Sequence, residues 1–291
     1  MLSPAGVMGV YGALAIWAAL LALGAMRGGW RPFLIFGVLF LLFLNAGYFI
    51  NGAPSAIAFF ISIYDVLDNF GVDPAVGAPA LGACADNACS VWGDRYDLHP
   101  SWGVAFHERF TAGDGMRNGL LYSHIGFNSF AFVLMHVQLF RPGYGARKAG
   151  HGLIGKIVFA AVTLGTISAV WLASQHGDVA SYGGSWSTWG FYSMAACVYA
   201  CVVLGAVAAR RGDAERHRIW MIRFIGAMWG AFWLFRVMLF VLGPLLREWD
   251  SAAILTCIWL SAPLGVAIAE YMRRRADAAR SGAELGAPVG A

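Results

Sequence analysis

Four places in this sequence set an ionisable or ligating side chain among apolar neighbours. The first is Arg236, at the end of Trp229-Gly-Ala-Phe-Trp-Leu-Phe-Arg236. A guanidinium does not neutralise itself, so it needs a carboxylate, carbonyls, water or an anionic ligand. Phe232 and Phe240, four residues to either side, share its helical face and offer cation–π contact. The competing reading is snorkelling to an interface beside a partner from a neighbouring helix. The second place is Tyr122-Ser-His124-Ile-Gly-Phe-Asn128, continuing to His136-Val-Gln138. His124 and Asn128 stand at i, i+4 and share a face. His124 and His136 are twelve residues apart, ~18 Å of helix rise, but about 120° apart in rotation. That geometry disfavours a helix carrying two haems and leaves room for one.

The third place is a pair of helix starts, Gly150-His151-Gly-Leu-Ile-Gly155-Lys156 and Glu215-Arg216-His217-Arg218-Ile-Trp220-Met-Ile-Arg223. With His136 they make a three-histidine set near one membrane face. Neutral imidazole ligates haem iron or a transition metal. The bland alternative is a histidine bonded to loop carbonyls or lipid phosphate. The candidates for metal or haem are therefore His124, His136, His151 and His217. The candidates for other ligand contact are His124, Asn128, Arg236, Arg223 and Trp220. The fourth place is Glu270, which Arg273 and Arg274 can neutralise from i+3 and i+4.

These residues need elements to hold them, and the composition says which kind. The chain has 291 residues, 59% hydrophobic and 12% charged, with a mean hydropathy of +0.63. Soluble domains carry about 25% charge. A soluble enzyme, a disordered chain, a coiled coil and a nucleic-acid-binding domain are excluded. A membrane helix needs roughly 20 apolar residues, and seven stretches qualify: 5–26, 32–51, 119–140, 153–174, 188–209, 219–246 and 252–272. Nothing alternates with period two, so a β-barrel is excluded. The expected fold is an all-α polytopic bundle of about seven transmembrane helices.

With the N-terminus outside, the inner segments hold fifteen Lys and Arg and the outer ones four. That positive-inside bias gives N-out, C-in, in a multi-pass protein of the plasma (inner) membrane. Residues 54–67 are apolar but short, and are expected to form an interfacial or re-entrant helix outside. Basic residues follow the first span and none precedes it, so it is read as a retained signal anchor.

The chain divides into two N-terminal spans (1–51), an extracytoplasmic segment with short helices (52–118), a four-helix core (119–246), a last span (247–274) and a disordered inner tail (275–291). The 52–118 segment carries Cys84 and Cys89. In an oxidising compartment a local disulfide is expected; a metal pair is the alternative, though no His or third Cys stands at ligand spacing. A c-type haem would need C-x-x-C-H, which is absent. The outer-loop residues His99, His107 and His176 are expected in ordinary solvated roles. Small residues such as Gly155, Gly165 and Gly205 let helix backbones approach.

Residues 119–245 carry a recognisable pattern. A helix-start His124 leads to Gln138, then His151 and Gly155 open a span, and His217, Trp220, Met221 and Arg223 open a later one ahead of Arg236. This resembles the predicted integral membrane family catalogued as domain of unknown function 2306. The resemblance implies that spans three to six form one helical unit, with the first two spans, the cysteine-bearing segment and the last span outside it.

Three functions fit these residues. One is a redox or electron-transfer protein that binds haem b or a quinone. Another is a carrier or receptor for a small anion anchored by Arg236. The last is an accessory subunit packed against other membrane subunits. Arg236 and the His124–Asn128 pair are expected at comparable depth, facing one another inside the bundle.

Overall fold

A computed structural model of the chain describes residues 4–27, 30–53, 56, 115–140, 148–174, 185–245 and 250–285. The described residues are helical, with no strand among them. The helices are α1 (Pro4–Arg27), α2 (Arg31–Asn51), α3 (Gly115–Phe140), α4 (Lys148–Ser174) and α5 (Ser185–Arg210). A sixth span follows in three pieces: α6 (Ala214–Trp229), a π-helical segment (Gly230–Leu234) and α7 (Phe235–Leu245). The last helix is α8 (Asp250–Leu285). Seven helices among the described residues are long and apolar enough to cross a membrane. Each of the seven expected stretches falls on one of them. Residues 57–114 lie outside the described residues, and with them the expected helix over 54–67 for the most part, the Cys84–Cys89 link, His99 and His107; His176 lies outside as well.

The helices pack largely in chain order: α3 lies along α4, α4 against α5, and α5 against α6. The last helix, α8, covers α5 and all three pieces of the sixth span, while α2 bridges α3 and the π-helical segment. The main core joins Leu41 and Leu44 of α2, Phe132 and Met135 of α3, Val158 and Val162 of α4, Val198 and Val202 of α5, and Phe224, Met228 and Trp233 of the sixth span. Large apolar side chains also point outward, such as Leu39 and Phe43. In water that would be a liability; in a bilayer it is the lipid-facing surface, since lipid solvates these groups as well as protein does. Helix α1 joins mainly through Trp17, which stacks on Phe33 at 4.7 Å and on Trp233 at 4.9 Å.

Three local features position the functional residues. A tight turn joins α5 to α6: Gly212 takes φ +74, which costs glycine little, and Asp213 N–H donates to the Ala208 carbonyl at 3.0 Å. Asp213 then caps α6 by accepting from Arg216 N–H at 2.9 Å. The second feature is the π-helical segment, where Phe235 N–H reaches back to the Gly230 carbonyl. Such segments are rare and concentrate at functional sites. The third is a glycine seam. A Cβ on Gly226 would strike the Gly265 carbonyl and Ala269, and one on Gly230 would strike Ser261 and Ala262. The backbones of the sixth span and α8 therefore touch, as G-x-x-x-G faces allow.

The tail expected from Arg275 onward is helical as far as Leu285. Asp277 explains the extension: it accepts from Arg273 at 2.7 Å and from Arg218 of α6 at 2.9 Å, tying this end of α8 to the bundle.

Candidate functional site

The tight α5–α6 turn sets His217 against the turn of α5 that holds Gly205. His217 donates its Nδ1–H to the Gly205 carbonyl at 2.9 Å. A histidine fixed through Nδ1 presents Nε2 as its ligating nitrogen. Across from it stands His151, on the first turns of α4, with ring centroids 6.1 Å apart and planes at 89°. The backbone of His151 is held by Gln138 of α3, whose Nε2 donates to the His151 carbonyl at 2.9 Å. Two of the three histidines expected near one face thus meet across the bundle.

His136 is engaged elsewhere. It donates Nδ1–H to the Phe132 carbonyl at 2.7 Å. Its Nε2 accepts from Trp229 Nε1–H at 2.9 Å. Both ring nitrogens are satisfied in the neutral form, and the ring packs at 4.6 Å from Phe132. Nearby, an apolar groove of ≈ 470 Å³ lies between α2 and α3, lined by Ile35, Val38, Leu39, Val133, His136, Val137 and Phe140. No group of three or more His, Cys, Asp or Glu residues gathers to hold a metal ion among the described residues.

Further along α6, the Arg223 guanidinium lies 4.7 Å over the Trp220 ring and pairs with Glu270 at 3.2 Å. Glu270 also holds Arg273 at 2.7 Å and Arg274 at 2.8 Å. Arg223 is thereby neutralised from α8, and Glu270 is the hub of a four-residue network rather than a helix-end charge alone.

At the other end of the bundle, Asn128 donates Nδ2–H to the His124 carbonyl at 2.9 Å. His124 Nδ1 stands 3.2 Å from the Gly165 carbonyl of α4 and 3.1 Å from Asn128 Nδ2. Gly165 is required there, because a Cβ would fall 2.6 Å from Asn128 Nδ2. Arg236 donates Nη1–H back to the Phe232 carbonyl at 2.7 Å and Nη2–H to Asn45 Oδ1 of α2 at 3.2 Å. Asn45 in turn donates Nδ2–H to Ser129 Oγ at 2.8 Å. From Arg236 the bonds run to Asn45 of α2 and on to Ser129 of α3, the residue beside Asn128. The amide that Arg236 meets is Asn45, because α2 packs against the π-helical segment that precedes α7 as well as against α3. Asn45 was open to detection, being the one amide in the apolar run Phe40-Leu-Leu-Phe-Leu-Asn45-Ala. Ser129, Trp229 and the Gly226–Gly230–Gly265 seam carry no comparable mark; only the Gly226-x-x-x-Gly230 spacing hints at the last.

Searches of curated proteins and of solved structures give no match to the chain. The family model described as "Predicted membrane protein (DUF2306)" matches residues 121–273. That range runs beyond the stretch read from the motifs and takes in much of α8, the helix that closes over the sixth span. It covers more than half of the chain and holds the histidine pair, Arg223, Arg236 and Glu270 alike, so this chain belongs to that family of multi-pass membrane proteins.

Proposed function

We propose that His151 and His217 hold a b-type haem at one end of the bundle and that the protein is a one-electron carrier within the membrane. The observation that carries this reading is the ring pair itself: two imidazoles from different helices, 6.1 Å apart at their centroids. Two imidazoles at that separation could both ligate one metal, with metal–nitrogen bonds of about 2 Å. His217 is oriented through its Nδ1–H bond to Gly205, the support that a ligating histidine needs. The flank of α4 is also clear. A Cβ on Gly152 would meet nothing within 4 Å, and one on Gly155, a turn beyond His151, would meet only Gln138 at 3.9 Å. A bound haem would supply reversible uptake of one electron. The chain's part is to orient both imidazoles, to keep His217 in the tautomer that presents Nε2, and to place Lys156 and Arg216 near this end for acidic substituents. Purified protein supplied with haem is expected to show a Soret band and a reducible α band. His217→Ala and His151→Ala lose both bands, while His136→Ala keeps them. A monodisperse wild-type protein without a Soret band overturns the reading.

The same reading takes the histidine pair to the inner face of the plasma (inner) membrane, with the N-terminus outside and the C-terminus inside. Its support is the fifteen-to-four distribution of Lys and Arg. A phosphatase reporter fused after Ala291 is expected to be inactive and a cytoplasmic fluorescent reporter active. The opposite pair of results rejects the orientation.

A further inference from the structure

We propose that Arg236, together with Asn45, Tyr48 and His124, forms a binding site for a carboxylate at the far end of the bundle from the histidine pair. The inference does not depend on the haem reading, because none of these residues belongs to that site. Three elements build it: α2 gives Asn45 and Tyr48, α3 gives His124, and α7 gives Arg236. Arg236 has no acidic partner among the described residues. Tyr48 stands three residues from Asn45 on α2 and shares its face, and His124 is bonded by Asn128, the neighbour of the Ser129 that holds Asn45.

The guanidinium is not snorkelling. An arginine reaching for the nearer interface would extend along α7 toward Leu245. This one turns back a full helical turn to the Phe232 carbonyl at 2.7 Å and sideways to Asn45 at 3.2 Å. Asn45 is held for the task by Ser129 at 2.8 Å. Neutral dipoles orient the cation, and no carboxylate among the described residues compensates its charge, an arrangement that marks ligand and ion pathways in membranes. Three of its five N–H donors meet no acceptor among the described residues.

The guest's charge follows from the count of cations. One guanidinium balances one carboxylate, whereas a doubly ionised phosphate would bring a second, unpaired negative charge into a low dielectric. The planar fork of arginine also matches the two oxygens of a carboxylate. His124 adds adaptability. Its Nδ1 stands between an acceptor, the Gly165 carbonyl, and a donor, Asn128 Nδ2. With Nδ1 accepting from Asn128, Nε2 carries the proton and can donate to the acid. Phe232, whose ring lies 5.9 Å from the Arg236 guanidinium carbon, and Phe132 against it at 5.3 Å give an apolar wall for the acid's hydrocarbon part. The acid can come from the aqueous phase or from the bilayer, and the probes distinguish the two.

The test uses the full-length protein in phosphatidylcholine nanodiscs, with equilibrium binding of radiolabelled benzoate and, separately, of laurate. Saturable binding at one site per chain is expected for at least one probe. Benzoate alone marks a water-borne acid, and laurate alone marks an acid drawn from the bilayer. Arg236→Gln is expected to weaken binding at least tenfold. Asn45→Asp keeps the test decisive where Arg236→Gln does not fold. It plants a carboxylate beside Arg236, so it should abolish binding of the probe while raising the melting temperature. No saturable binding of either probe to the wild type overturns the site. So does an Asn45→Asp variant that binds as the wild type does, or inorganic phosphate binding in place of both acids.

Discussion

Gly265→Val is expected to prevent the bundle from closing. A Cβ on Gly265 would lie 2.8 Å from Gly230 Cα and would also strike the Gly226 carbonyl. These obstacles are backbone atoms, which have no rotamer to yield. The sixth span and α8 must then separate along the whole seam. Separation breaks the packing of Ile258 and Cys257 of α8 against Leu239 of α7. Overpacking of a closed interface costs roughly 1–3 kcal/mol where side chains can shift, and the cost here falls at or above the top of that range. Gly230→Val meets Ser261 and Ala262 and should behave alike. The readout is the yield of monodisperse protein after extraction, and the melting temperature of what survives, followed by tryptophan fluorescence. The control is Gly12→Val, where a Cβ meets nothing within 4 Å and the yield should be unchanged. A Gly265→Val protein that melts with the wild type would show that the two helices do not touch there.

Glu270→Gln is the second large effect. The carboxylate accepts from Arg273 Nη2 at 2.7 Å, from Arg274 Nε at 2.8 Å and from Arg223 Nε at 3.2 Å. Its side chain is 14% exposed, as is that of Arg273, while Arg274 is 71% exposed. The bond to Arg274 therefore contributes little. Of the other two, the Arg223 bond joins α6 to α8 and the Arg273 bond is an i,i+3 pair within α8; in this sheltered setting hydrogen bonds to charged groups contribute about 1.5–3 kcal/mol. The amide variant keeps the shape but removes the charge, leaving Arg223 and Arg273 beside each other with Asp277 as the remaining carboxylate, bonded to Arg273. A loss of about 2 kcal/mol is expected. Arg274→Ala should melt within a degree or two of the wild type. Equal effects from the two variants would place the network's contribution in its surface pair and refute the assignment of Glu270 as the link between helices.

These two seams explain how the sixth span can carry a π-helical segment and a membrane arginine in the same ten residues. The glycine contacts lie on the face toward α8, and the Glu270 network clamps the α6 end. The opposite face, with Trp229, Trp233 and Arg236, is then free to engage α2 and α3. Trp229 donates to His136, Trp233 donates to the Gly37 carbonyl at 2.9 Å, and Arg236 meets Asn45. The two candidate sites at opposite ends of the bundle share this one helical spine. The histidine pair depends on its start, where Asp213 caps α6 and places His217. The arginine site depends on its continuation beyond the π-helical segment.

The sequence by itself determined the number of spans, because hydrophobic length is a local property: each crossing can be counted from about 20 consecutive side chains. It also marked Arg236, His124, Asn128, His151 and His217, since a polar group in an apolar run is conspicuous without knowledge of its neighbours. Tertiary structure decided what those groups meet. Arg236 and Asn45 are 191 residues apart in the chain, and His136 and Trp229 are 93 apart. No pattern along the chain says which helices adjoin. The same three-histidine set could have met at one point, and His136 was withdrawn from it only because Trp229 lies across from it. The helical tail to Leu285 was hidden for the same reason. Its composition is that of a free end, and the carboxylate that fastens it, Asp277, does so through Arg218 on another helix. Burial in lipid is written in composition, residue by residue. Partnership is set by the packing of whole helices, which depends on every contact at once.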